Sequence, residues 1–242
     1  MQIEQNKHFV DLNKSYKKVA DQTLKNQDLL PDNLKISRDL FTEDSLESRT
    51  PVPKDLEVFA LLSGLSFEHQ FTDKLVSIQN AISDIIEETL HYWVKPENFG
   101  VEYCVFKWPW GEWDESWLPL IQNKLSTQNT NGFNFTVKGI QINPDGCVIA
   151  KGFDEGAQIF SMRKNLKNAI DFLPEKQSAW AHIPIGRILE PLGEHRFAKL
   201  MQYFNNMSDQ YIASQQIASL KLIHETRWYM EKHEVIGEYT VS

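Results

Sequence analysis

Two side chains of the 242-residue chain are of a type that can move a proton and stand in strand-like runs: His182 in Trp180-Ala181-His182-Ile183-Pro184-Ile185-Gly186-Arg187-Ile188, and Glu102 in Val101-Glu102-Tyr103-Cys104-Val105-Phe106. Both runs read as buried strands, whose side chains alternate between faces. His182 and Pro184 then share one face, Ile183 and Ile185 take the other, and Arg187 faces away from His182. Glu102 shares the face of Gly100. A histidine on such a strand is either a packed core residue or a chemical group, and an imidazole or carboxylate in reach of substrate serves as general acid or base.

His224, in Leu222-Ile223-His224-Glu225-Thr226, is a further imidazole on an apolar strand. It packs as core, or it enters a site if that strand borders a groove. His8, His69, His91, His195 and His233 stand in polar or helical contexts without ligand spacing and receive no role. Cys104 and Cys147 lie in strand-like contexts without metal-ligand spacing and read as small core residues, so no metal and no cofactor is expected. The segment Lys107–Trp117 holds four of the chain's seven tryptophans. Such rings stack on nucleobases, at about 1–3 kcal/mol per base, or cap a hydrophobic core. Trp113 and Trp117, at i,i+4 spacing, suit the cap, while Trp108 and Trp110 fit either use.

The elements that must position these residues follow from periodicity. Phe9, Leu12, Tyr16 and Val19 give a helix over about 5–30, which Pro31 ends, and the stretch to Pro53 is polar and turn-rich. Residues 1–54 are therefore expected to form an N-terminal helical arm and extended linker, and 55–242 a two-lobed domain. Leu56–Leu62 reads as a strand, and Phe71, Leu75, Ile78, Ile82, Ile85 and Leu90 mark a long helix. Strands are expected at 133–142 and 147–153, joined by the turn Asn143-Pro144-Asp145-Gly146. A helix over about 157–172, the His182 strand, a helix through Phe197 and Phe204, and strands at 217–228 and 235–241 complete the order. The mix of hairpins and crossovers points to an α+β class with antiparallel or mixed sheets and outer helices. The two halves echo each other, as two lobes meeting at a groove would.

Composition narrows the partners. A net charge of −8 and a pI near 5.4 disfavour strong non-specific nucleic-acid binding, which needs a basic surface. The polar start Met1–Lys7 lacks an apolar secretion core, and no apolar run approaches the ~18 residues of a membrane span. A soluble cytoplasmic protein is the expectation, with no protein partner indicated.

The chain from about Glu57 to Val241 resembles the two-histidine (2H) phosphoesterase superfamily, especially its RNA 2′,3′-cyclic phosphodiesterase and 2′-5′ RNA ligase branch. That family pairs two His-x-Thr/Ser motifs across a groove, one histidine as general base and one as general acid, with the hydroxyls holding phosphate. The second motif, His-x-Thr-Leu-x-Arg, is matched here by His182-Ile183-Pro184-Ile185-Gly186-Arg187. Trp93-Val94-Lys95-Pro96-Glu97-Asn98-Phe99 resembles the lead-in to the first. Phe133-x-Phe135-x-Val137-x-Gly139 and Leu220-x-Leu222…Gly237-x-Tyr239 resemble later strands. Gly100 then stands for the first histidine, Glu102 for its hydroxyl partner and Pro184 for the second hydroxyl.

The resemblance implies that Glu102 looks across the groove at His182, where a carboxylate would raise the imidazole pKa. It implies a groove that holds a nucleotide-like or small anionic ligand without ordinary 2H catalysis. Gly100, Pro184, Arg187, Trp108, Trp110 and His224 are the candidate ligand-binding residues, and His182 and Glu102 the candidate catalytic ones. The alternatives are a cyclic phosphodiesterase or other hydrolase using that pair, and a protein-interaction module.

Overall fold

The computed structural model describes residues 7–127 and 131–241; the polar start, residues 1–6, lies outside them. Two antiparallel sheets carry the fold. The first has the order β3 (Gly100–Lys107), β1 (Asp55–Gly64), β8 (Ser219–Arg227), β9 (Lys232–Thr240). The second has the order β2 (His91–Trp93), β6 (His182–Ile188), β5 (Cys147–Asp154), β4 (Phe133–Ile142), β7 (Tyr211–Ile217).

Helices cover the outer faces, and the two sheets exchange them. α4 (His69–Ile86) follows β1 of the first sheet but packs with α7 (Glu194–Met207) behind the second. α6 (Gln158–Ala169) follows β5 of the second sheet but packs behind β3 of the first, and α5 (Trp117–Ser126) joins it against β9. The apolar stripe of α4, Phe71, Leu75, Ile78 and Ile82, is fully covered. Burial of each such side chain contributes about 1.5–3 kcal/mol.

The amino-terminal stretch differs from the sequence expectation. α1 (Lys7–Leu24) is the expected helix, but Pro31 opens a second one, α2 (Pro31–Arg38), instead of only ending the first. A proline at the first helical position gives up no hydrogen bond and has its φ already set. A short α3 (Glu43–Glu47) follows, so this stretch is helical where an extended linker was expected. Near the other end, β8 is the strand expected over 217–228, whereas β7 (Tyr211–Ile217), separated from it by Ala218, is a strand the periodicity does not predict. Among the described residues no helix is long and apolar enough to cross a membrane.

α1 lies on the inner face of the second sheet. Phe9, Leu12 and Tyr16 pack on Cys147, Ile149 and Phe153 of β5. Tyr16 is fully buried; its hydroxyl donates to the Gly152 carbonyl at 3.3 Å and accepts the Ala181 N–H at 3.2 Å. Trp180 Nε1 donates to Ser15 Oγ at 2.8 Å.

Candidate functional site

The inner faces of the two sheets enclose a groove of about 540 Å³, within the ordinary range for small-ligand sites. Strand parity decides what reaches it. On the first sheet β1 turns Val58, Ala60 and Leu62 inward and buries Phe59 and Leu61 behind. Leu62 pairs with Glu102 of β3 and Val58 with Glu225 of β8, so both carboxyls rise from this floor. On the second sheet His182 and Pro184 face inward, opposite Lys151 and Ile149.

Arg187 corrects the alternation argument. Ile185 is an extra residue in the β5–β6 ladder, between the pairs Ile149–Pro184 and Val148–Gly186. Such a bulge moves everything beyond it to the other face, so Arg187 returns to the groove side. Gly186 is required there: a Cβ would stand 2.1 Å from a Trp93 ring carbon and 2.7 Å from the Tyr92 carbonyl.

Arg187 is nevertheless held at two of its three nitrogens. Its Nη1 donates to Asp145 Oδ2 at 2.6 Å and to Ser37 Oγ at 2.5 Å, and its Nε to the Tyr229 hydroxyl at 2.5 Å. Asp145 comes from the 143–146 turn, which closes as expected, with Gly146 at φ +81° and its N–H on the Asn143 carbonyl at 2.9 Å. Ser37 comes from α2. Tyr229 and Met230 form the β8–β9 turn, both at positive φ (63° and 57°). That strained geometry costs non-glycine residues about 1–3 kcal/mol each; here it places both side chains against the groove.

His182 and Glu102 line one groove, but no ion pair joins them among the described residues. The expected rise in the His182 pKa is reversed. Burial first, then the Arg187 and Arg163 charges, hold it down at about 4. Its Nδ1 is buried without a hydrogen-bond partner among the described residues. Glu102 is pushed the other way, to about 7, by burial that the Arg163 charge only partly offsets. Arg163, from α6, donates to the carbonyls of Tyr103 (2.7 Å), Glu102 and Trp180 (3.2 Å each), and so ties β3 to the approach of β6.

His224 is not on the groove floor. Parity with Glu225 turns it to the back, where its ring stacks on Phe59 at 4.4 Å; Trp113 stacks on the other side of this cluster, 4.1 Å from Phe59. His224 Nε2 lies 3.3 Å from Glu57 Oε1 without hydrogen-bond geometry. The tryptophans divide as their neighbours dictate. Trp113 and Trp117 pack down, the latter on Phe172 at 4.4 Å, although Trp113 precedes α5 and does not share a helix with it. Trp108 and Trp110 stack on each other at 5.5 Å along the groove rim, and Trp108 Nε1 donates to the Lys176 carbonyl at 2.9 Å. Gln177 pairs both ways with the Val105 backbone, at 2.8 and 2.9 Å, and fixes that rim to β3. Gly100 lines the groove beside Glu102.

The sequence reading passed over Glu225, buried to 3% exposure, whose hydrogen bond is from the Met230 N–H at 2.9 Å. Burial, and the nearby Glu102 charge, push it to about 7. Its signal was period two from His224, but which parity faces inward is fixed only by pairing with β1.

No known sequence family matches the chain, and no curated protein does. Solved structures do. TT0787 of Thermus thermophilus superposes with a TM-score of 0.56 at 13% identity, over 76% of this chain and 97% of that one. A phosphoesterase gives 0.53 at 10% identity, and E. coli LigT in apo form 0.54 at 8%; each covers 78% of this chain and 99% of the other. The fold is that of the 2H phosphoesterases. LigT is also known in complex with phosphate and with 3′-AMP, at TM-scores of 0.52. Within the 2H fold this chain presents one inward histidine, two inward carboxyls and an arginine already paired.

Proposed function

We propose that the protein is a 2H-fold ligand-binding protein whose groove takes a small molecule with a flat ring and does not run two-histidine phosphodiester cleavage. The observation that carries this reading is that His182 is the one histidine lining the groove among the described residues, with His224 turned to the back. With a pKa near 4 His182 is neutral at pH 7, protonated in about one molecule in a thousand. It supplies no ready general acid. A developing phosphorane charge would face Glu102 and Glu225 rather than donors, the reverse of what transition-state stabilisation asks. The walls favour a ring: Trp108, Trp110, Trp180 and Trp228 all line the groove. That nucleotides bind a protein of this fold supports the size of ligand, and the base rather than the phosphate is the part this groove suits.

Glu102 and Glu225, both near 7, favour a second reading, a hydrolase using a carboxyl as acid or base. Assays of 2′,3′-cyclic nucleotides and 2′-5′-linked oligonucleotides with the wild type and His182→Ala separate the two. We expect no turnover, with thermal stabilisation by nucleosides, because a ligand that binds only the native state raises its stability. Turnover lost in His182→Ala overturns the binding reading. Absence of both signals leaves the interaction module.

A further inference from the structure

We infer that the groove's ligand is an organic cation, with its flat body against the tryptophans and its protonated nitrogen over the Glu102 and Glu225 carboxyls. The inference rests on the binding reading above and adds the charge of the ligand. The Glu102 carboxyl makes no hydrogen bond or ion pair among the described residues; Arg163 gives Nε and Nη2 to backbone carbonyls, and its buried Nη1 hydrogen-bonds to no described residue, Glu102 included. Glu225 receives the Met230 N–H alone. Both rise among Val58, Ala60 and Leu62, an apolar floor on which an unpaired carboxylate is costly and a ligand ammonium or amidinium would offset the cost.

The aromatic wall suits the same charge. Tryptophan faces attract cations, more strongly when water is excluded. The chain itself makes such contacts at the rim, with Lys176 Nζ 5.9 Å from the Trp108 ring centre and 5.5 Å from that of Trp110. His182, on the same wall, is neutral at pH 8 and adds no competing charge. A hard divalent metal wants six or more oxygen ligands, and this wall offers carbon. An anion would meet two carboxyls, with Arg187 already held by Asp145.

Benzamidinium, benzamide and benzoate share one shape and carry three charges, so calorimetric titration of each isolates the term. At pH 8 benzamidinium is expected to bind about tenfold tighter than benzoate. With Glu102 and Glu225 near 7, the preference should collapse at pH 5.5, where both are protonated. Of the charged side chains facing them, Arg163 and Arg187 are guanidinium groups that keep their charge at both pH values, Lys176 stands at the rim beside Trp108 and Trp110, and His182 takes up its proton lower still. E102Q/E225Q, checked for cooperative melting, should abolish the preference while still binding benzamide. E102Q alone serves if the double variant does not fold. Benzoate binding as well as benzamidinium, a preference that survives E102Q, or no binding by any of the three overturns the inference. Benzamide or benzoate binding alone would leave the groove a ligand site and remove only the cation.

Discussion

Burial in the same groove moves Glu102 and His182 in opposite directions, because it penalises whichever form is charged. The two effects act on stability at opposite ends of the pH range. Glu102, near 7 in the native state against an ordinary 4.5, carries no penalty below about pH 4.5 and the full penalty above 7. His182, near 4 against 6.5, carries none above 6.5 and the full one below 4. Glu102→Gln is therefore expected to raise the unfolding free energy at pH 8 by on the order of 1 kcal/mol and to leave it unchanged at pH 4.5. Urea denaturation at the two pH values measures it, and an equal effect at both would show that the carboxyl is solvated. Arg187 offers a second measurement. Removing Asp145 strands a mostly buried guanidinium, so Asp145→Ala should cost about 2–3 kcal/mol. A loss within a few tenths would mean that Arg187 is free to hold an anion after all.

Among the strands and helices, the sequence disclosed most of the elements but little of their facing. The 143–146 turn was legible because Asn-Pro-Asp-Gly has a mechanism, a glycine where φ must be positive. Arg187 was misplaced because one bulge residue, Ile185, leaves no mark in an apolar run and reverses parity beyond it. His224 was weighed and Glu225 passed over for a related reason, since both sit on one strand and only the pairing with β1 says which is inside. Pro31 was read as a stop because proline ends and begins helices equally well. The arm is where this matters most, since α1 covers Cys147, Ile149 and Phe153 on the inner face of the second sheet. Tyr16→Phe keeps the ring packing but leaves the buried Ala181 N–H and Gly152 carbonyl without their hydroxyl. It should lower stability by about 1–2 kcal/mol in a denaturant titration, and a negligible change would show that the arm only leans on the sheet.

For the molecule as a whole, the groove is assembled from segments at both ends of the chain: Ser37 of α2, Asp145 of the hairpin, Arg187 of β6 and Tyr229 of the closing turn meet at one guanidinium. The exchange of α4 and α6 binds the two sheets together, so neither has its full outer cover without a helix that follows a strand of the other. The docking of α1 has a consequence for how the protein is made. Ser15 and Tyr16 bond to Trp180 and Ala181, 165 residues further on. At ribosomal speeds of about 5–20 residues per second, the amphipathic helix waits roughly 10–30 s before its seat has been synthesised. Through that interval Phe9, Leu12 and Tyr16 have no sheet to cover them. The apolar face of α1 is thus uncovered during biosynthesis until the strands that seat it have been made.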